Sequence, residues 1–242
     1  AVVSHPSLAG WEGFGIVVQA YQKRTPYTID YLADLARRIG HKLQVRLVKG
    51  AYWDAEIKRA QMEGLESYPV FTRKQNTDVS YLACAKRLFG HSDAIYPMFA
   101  THNAHTIASI KVIAQGRTYE HQKLHGMGDD LYAEVIPADR LDVPCRVYAP
   151  VGSHEDLLPY LVRRLLENGA NFVNRVTDES VAIDELIRNP VAAVESFASI
   201  PHPKIPLPRE LLRSQNHDRT NSMGINFADD NTLKAMAAQL DQ

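Results

Sequence analysis

Arg163 and Arg164 stand side by side, three and four residues after Tyr160. On a helix those positions converge. Two adjacent guanidinium groups offer planar, bidentate forks for a carboxylate or a phosphate. Periodicity alone favours a plainer account, a solvated helix face with an Arg163–Glu167 surface pair. A second cluster is RLVKGAYWD (46–54), where Arg46 and Lys49 lie beside Gly50 and a backbone can approach a phosphate closely. Trp53 in that segment could stack on a nucleobase or cover the mouth of a barrel. Its plain alternative is a strand end with ordinary snorkelling basic residues. The third, THNAH (101–105), sets Thr101, His102 and Asn103 together, although a helix N-cap by Thr101 or Asn103 explains part of it.

Positioning such clusters takes a regular scaffold. From residue 14 to about residue 169, short apolar runs alternate with segments of helical period. The predicted strands are 14–21, 43–53, 94–103, 121–128 and 145–152. The predicted helices are Thr28–Ile39, Asp54–Gly64, Thr77–Phe89, Thr106–Gln115, Asp130–Val135 and His154–Asn168, the last with Ser153 and Asp156 at N-cap spacing. Strand and helix in strict alternation imply parallel βα units. Each predicted strand ends in a polar or glycine-bearing cluster. Barrel enzymes gather their sites from the C-terminal ends of several strands, whereas a doubly wound sheet concentrates contacts at one crevice, usually beside a GxGxxG turn, which this sequence lacks. The expected fold is therefore α/β, a TIM-type (βα)8 barrel of which about the last five strands and the final helix are in this chain. Residues 1–176 are expected to form that C-terminal part of the barrel. Residues 177–242, with the proline-rich stretch 201–211, read as a helical connector.

Composition narrows the function classes. The chain has 242 residues, 45% hydrophobic and 23% charged, with a net charge of −1. That balance gives no electrostatic reason to expect nucleic acid. No apolar run approaches the ~20 residues of a membrane-spanning helix. Cys84 and Cys145 are too few for a disulfide framework and read as reduced packing thiols. The ten histidines are scattered, without an HExxH spacing. The start, Ala1-Val2-Val3-Ser4, has neither an initiator methionine nor the regions of a signal peptide, as expected of a processed chain or a piece of a longer one.

Seven segments carry a resemblance: GIVVQAYQKR (15–24), the run 45–74 beginning VRLVKGAYWD, DVSYLACAKRL (78–88), FATHNAH (99–105), LHGMG (124–128), RVYAPVG (146–152) and LVRRLLENGAN (161–171). In order and spacing they resemble the proline dehydrogenase domain of the proline utilization A family, from about Leu8 to Arg175. The tail PHPKIPLPREL is also similar to that family, where it leads toward an aldehyde dehydrogenase domain.

The resemblance implies a distorted TIM-type (βα)8 barrel that binds FAD at its strand ends and oxidises L-proline to Δ1-pyrroline-5-carboxylate by hydride transfer to flavin N5, the first step of proline catabolism to glutamate. Electrons then pass to a membrane quinone. By motif, Arg163 and Arg164 clamp the proline carboxylate, while Tyr148, Tyr160, Tyr52 and Leu124 wall its ring. Arg46 lies near flavin N5, and Gln19 hydrogen-bonds the isoalloxazine. Lys49, Gly50, Ala51 and Trp53 serve the pyrophosphate and adenine half. Thr101, His102, Asn103 and Gln122 complete the flavin cradle, with Arg164 and Glu167 in the polar network around it.

Three departures from the family stand out. Its earlier strands, with a lysine and an aspartate that reach the substrate, are not in this sequence. NGANFVNR (168–175) is two residues shorter than the usual NGANTSFVNR, and Lys123 stands where a small or apolar residue is usual. The expected partners are therefore the remaining barrel strands and an aldehyde dehydrogenase domain, besides proline and quinone, with a homodimer left open. The expected location is cytoplasmic, peripherally associated with the inner membrane. The alternatives are a non-catalytic barrel piece needing a complementary chain, and a barrel enzyme that binds a phosphate ligand without flavin.

Overall fold

The computed structural model describes residues 2–170, 187, 189–213, 219–224 and 230–240, with the backbone alone for 164–170 and 230. Two compact units are present. One comprises Ala1–Gly50 and Lys74–Ala198, the other Ala51–Arg73 and Ser199–Gln242.

In the first unit five strands form one sheet: β1 (Gly15–Gln19), β2 (Leu43–Val48), β3 (Ile95–Ala100), β4 (Glu120–Leu124) and β5 (Cys145–Tyr148). Every neighbouring pair is parallel, and the strands lie in chain order. A doubly wound sheet reverses direction at a switch point, so an unreversed run of βα units has the order of a TIM-type barrel. Along β2, Leu43, Val45 and Leu47 are buried while Gln44, Arg46 and Val48 are half-buried. This two-residue period sends alternate side chains to opposite faces.

The outer face is covered by helices. Helix α1 (Thr25–Ile39) opens with Pro26 in its first turn and buries Ile29, Leu32, Ala33 and Ala36, a stripe at helical spacing. Gly40 ends it at φ 76°, donating its N–H to the Ala36 carbonyl. Helix α3 (Lys74–Gly90) adds Tyr81, Cys84, Ala85 and Leu88, and helix α4 (Ala104–Ala114) adds Ile107 and Ile110. Each fully buried Leu or Ile contributes roughly 1.5–3 kcal/mol to the fold. Burial in this core also pushes the Cys84 thiol up, as fits a packing thiol. Helix α5 is Asp129–Ala133, α6 is His154–Ala170 and α7 is Pro190–Glu195. Ser153 caps α6 by accepting the Asp156 N–H at 3.2 Å, as its spacing predicts. On the described part of α6, Leu158, Leu161 and Val162 are exposed. Periodicity defines a face and leaves open what packs on it.

The sheet has two exposed edges: Ile16 and Val17 on β1 are 41% and 49% exposed, and Val147 on β5 is 49% exposed. The second predicted strand, extended by the sequence to Trp53, stops at Val48. Gly50 takes φ 135°, outside the β region, and Trp53 opens α2 (Trp53–Met62).

The second unit joins distant parts of the chain. The Tyr68 hydroxyl donates to the Pro206 carbonyl at 2.8 Å and the Asn221 amide to the Gln61 carbonyl at 2.6 Å. Gly64, at φ 58°, lies against the Ser222 carbonyl, where a Cβ would come within 2.2 Å; no larger residue fits. Helix α8 (Asp230–Leu240) completes this unit. Among the described residues no helix is long and apolar enough to cross a membrane.

Candidate active site

The inner face of the sheet is polar. The pairings Arg46↔Met98↔Glu120 and Ala100↔Gln122↔Arg146 place these residues on one side, with Leu124↔Tyr148 above them. Glu120, only 6% exposed, accepts from Arg146 Nε and NH2 at 2.9 Å each. This bidentate pairing and the negative charge of Glu120 raise the guanidinium pKa of Arg146 further. Gln122 donates from Nε2 to Glu120 Oε1 at 2.8 Å and to Met98 Sδ at 3.0 Å. Arg46 is half-buried, its guanidinium carbon 4.3 Å from the centre of the Tyr148 ring. Cation–π contacts of this kind contribute ~0.5–2 kcal/mol. The Arg46 Nε is buried without a hydrogen-bond partner. A guanidinium half-satisfied by an aromatic face is primed for an acceptor on a ligand.

At the rim, structural duties overlap with the predicted ones. Lys49 is paired with Asp78 of α3, so its charge already has a counterion. Gly50 packs on Tyr21, whose ring a Cβ would meet at 2.5 Å; glycine is required there before any ligand is considered. Asn103, not Thr101, caps α4, accepting from the Thr106 N–H at 2.9 Å. Thr101 is buried; its hydroxyl oxygen accepts the Asn103 N–H and its carbonyl accepts the Tyr132 hydroxyl at 2.7 Å. His102 Nε2 accepts the Leu124 N–H at 3.2 Å and ties the ends of β3 and β4 together, so that nitrogen carries no proton. Gln19 ends β1 on the inner face, half-buried, and its carbonyl accepts from Thr25. Leu124 ends β4 on the same face, buried and paired with Tyr148 of β5.

Ala51, Tyr52 and Trp53 belong to the second unit. There Tyr52 is half-exposed, and Trp53 donates its indole N–H to the Phe71 carbonyl at 2.8 Å. On α6, Tyr160 and Arg163 are half-buried, while the side chains of Arg164 and Glu167 and the shortened segment 171–175 lie outside the described residues.

Lys123, the conspicuous departure, does not enter the inner face. It points outward, pairs with Asp129 and lies 5.7 Å over the Tyr132 ring. Glu120, Arg146 and Met98 are the inner-face residues that sequence reasoning missed. The signal was available for Glu120: it sits two residues before Gln122, on the same side of a strand, but the predicted strand began one residue too late.

Residues 1–175 match the family model described as proline dehydrogenase. The chain is 58% identical over 250 residues to the bifunctional protein PutA of Klebsiella aerogenes, an alignment covering 97% of this chain and 19% of that protein. Identity to mitochondrial proline dehydrogenase 1 of Caenorhabditis elegans is 31% over 164 residues, 63% of this chain and 26% of that one. Among solved structures, a crystal structure of a mutant PutA from Bradyrhizobium japonicum superposes with TM-score 0.88 at 50% identity, over 99% of this chain and 24% of that chain. One from Bdellovibrio bacteriovorus, inactivated by N-propargylglycine, gives 0.81 at 31% identity, with the same coverage of 99% and 24%. The chain thus spans about a fifth of the length of the PutA relatives it matches.

Proposed function

Because the chain belongs to the proline dehydrogenase family, we propose that it is part of an FAD enzyme that oxidises L-proline to Δ1-pyrroline-5-carboxylate and passes the electrons to a membrane quinone. The observation that carries the proposal is Arg46: a half-buried guanidinium held against Tyr148 on the inner face, with an Nε that lacks a partner. No side chain can accept a hydride from a saturated ring, so the reaction needs a redox group. The residues fit a flavin, a flat ring with polar edges: Arg46 and Gln122 bring hydrogen-bonding groups to the inner face, and Leu124 and Tyr148 bring apolar surface. FAD would supply the hydride acceptor at N5.

The protein's own groups then bind and orient. Arg163 and Arg164 hold the carboxylate through paired forks, and Tyr148, Tyr160, Tyr52 and Leu124 exclude water from the ring. The substrate loses a hydride from its ring carbon and a proton from nitrogen, leaving a C=N bond. Arg46, fixed by the Tyr148 ring, would place its positive charge beside a bound flavin. Gln19, Lys49, Gly50, Ala51 and Trp53 take the remaining flavin contacts, with Thr101, His102, Asn103 and Glu167. Five of these, Lys49, Trp53, Thr101, His102 and Asn103, would reach the ligand while also serving the fold, since each already has a partner in the protein. Residues 177–242 would lead toward an aldehyde dehydrogenase domain in a larger cytoplasmic protein that meets its quinone at the inner membrane.

The test is the visible spectrum of the full-length protein. It should show oxidised flavin bands that bleach when L-proline is added without oxygen. N-propargylglycine, which inactivated the Bdellovibrio relative, should block that bleaching permanently. A protein without flavin, or with a flavin indifferent to proline, would overturn the proposal. The exposed edges of β1 and β5 favour a second reading, in which this piece is inert until complementary strands pair with it. Full activity of these 242 residues alone would exclude that reading.

A further inference from the structure

The arrangement of Glu120, Gln122, Met98 and Arg146 is more constrained than a flavin contact by Gln122 requires. Both oxygens of Glu120 accept from Arg146, at 2.9 Å each. A carboxylate engaged in this way is an acceptor only. The Gln122 atom 2.8 Å from its Oε1 must therefore be the amide nitrogen. The other hydrogen of that nitrogen goes to Met98 Sδ at 3.0 Å. Both donors are committed within the sheet, and the carbonyl oxygen is the polar atom of this side chain with capacity left. Without Glu120, a glutamine amide could turn about its terminal torsion and offer a ligand either a donor or an acceptor.

We propose that Glu120, braced by Arg146, is a positioning residue that fixes Gln122 as a pure hydrogen-bond acceptor on the inner face, selecting a planar heterocycle that presents a ring N–H there. The inference rests on the flavin reading of the site. An oxidised isoalloxazine carries one such ring donor, its imide N–H, flanked by two carbonyls. A ring edge offering a carbonyl at that point would meet lone pair with lone pair, which is how a site rejects a wrong partner. Arg146 makes the device robust, because turning the Glu120 carboxyl away would break two charge-assisted bonds at once.

The experiment compares FAD with FAD methylated on its imide nitrogen, both bound to the flavin-stripped full-length protein and followed by quenching of flavin fluorescence. The parent should prefer FAD by about tenfold or more, the effect of leaving one buried acceptor unsatisfied. Glu120→Gln should still bind flavin, but its preference should collapse to about twofold or less, since either end of the amide can now turn to the ligand. Retention of the parent preference in Glu120→Gln would overturn the positioning role. A parent that binds both flavins equally overturns this inference and leaves the flavin reading standing; a parent that binds neither overturns both. Should circular dichroism show that Glu120→Gln has lost its fold, Gln122→Met removes the acceptor and keeps the ion pair. It should erase the same preference, and persistence there would overturn the proposal.

Discussion

Consecutive residues of β4 meet opposite fates. His121 faces outward among Phe99, Tyr119 and Tyr132, with no exposed surface and its Nε2 without a partner. Glu120 and Gln122 face inward, where the Glu120 carboxylate accepts from Arg146 and from the Gln122 amide. The outer face is apolar and dense, and it tolerates one badly solvated imidazole by keeping it neutral. The inner face is polar and mutually bonded, and its unspent capacity lies in the Arg46 Nε and the Gln122 carbonyl. Packing energy and chemical specificity are thus carried by the same strands on opposite sides, one residue apart.

Substitutions can separate the two faces. The largest effect should come from the outer one: Phe99→Ala deletes a ring fully buried against Phe89 and Tyr119. It should lower stability by about 3–5 kcal/mol in a denaturant titration of the full-length protein. A loss under ~1 kcal/mol would mean that this layer is not the core. On the ligand side, Arg163→Met should raise the KM for proline by a factor equivalent to roughly 2–5 kcal/mol, with the midpoint of unfolding little changed. Unaltered proline kinetics would remove Arg163 from the substrate clamp.

His121 makes the contrast depend on pH. Burial pushes its pKa down from 6.5 to about 4, so the folded state binds the proton later than the unfolded state does. Stability is therefore flat above pH ~7 and declines as pH falls from the unfolded value of ~6.5 toward the folded one. The loss is on the order of 2 kcal/mol at pH 5. His121→Phe should flatten that decline while leaving flavin binding alone; parallel stability curves for the two proteins would show that another group controls it. The smallest effect should come from Lys123→Leu. Its partner Asp129 is 71% exposed, so the loss should stay under ~1 kcal/mol and proline kinetics should not move. A large kinetic change would place Lys123 inside the site after all.

Local signals were legible where a residue's neighbours in sequence are also its neighbours in space. The Leu43, Val45, Leu47 alternation, the Ile29–Ala36 stripe and the Ser153 cap are read within a turn or two of chain. The site was legible only as residue types at strand ends. Whether a rim residue serves a ligand or the fold depends on what packs against it. Asp78 comes to Lys49 from 29 residues away, and Tyr21 comes to Gly50 from the preceding βα unit.

By itself the sequence determined the alternation of parallel βα units, the strand ends at which chemistry gathers and, through its motifs, the family. Tertiary structure decided the rest. It paired Glu120 with Arg146 across 26 residues, turned Lys123 away from the ligand face, and gathered 51–73 and 199–242 into one unit. The physical reason is range. Periodicity and capping act within a few residues, whereas a one-residue change of strand register moves every side chain of the strand from one face to the other, and register is set only when distant strands meet.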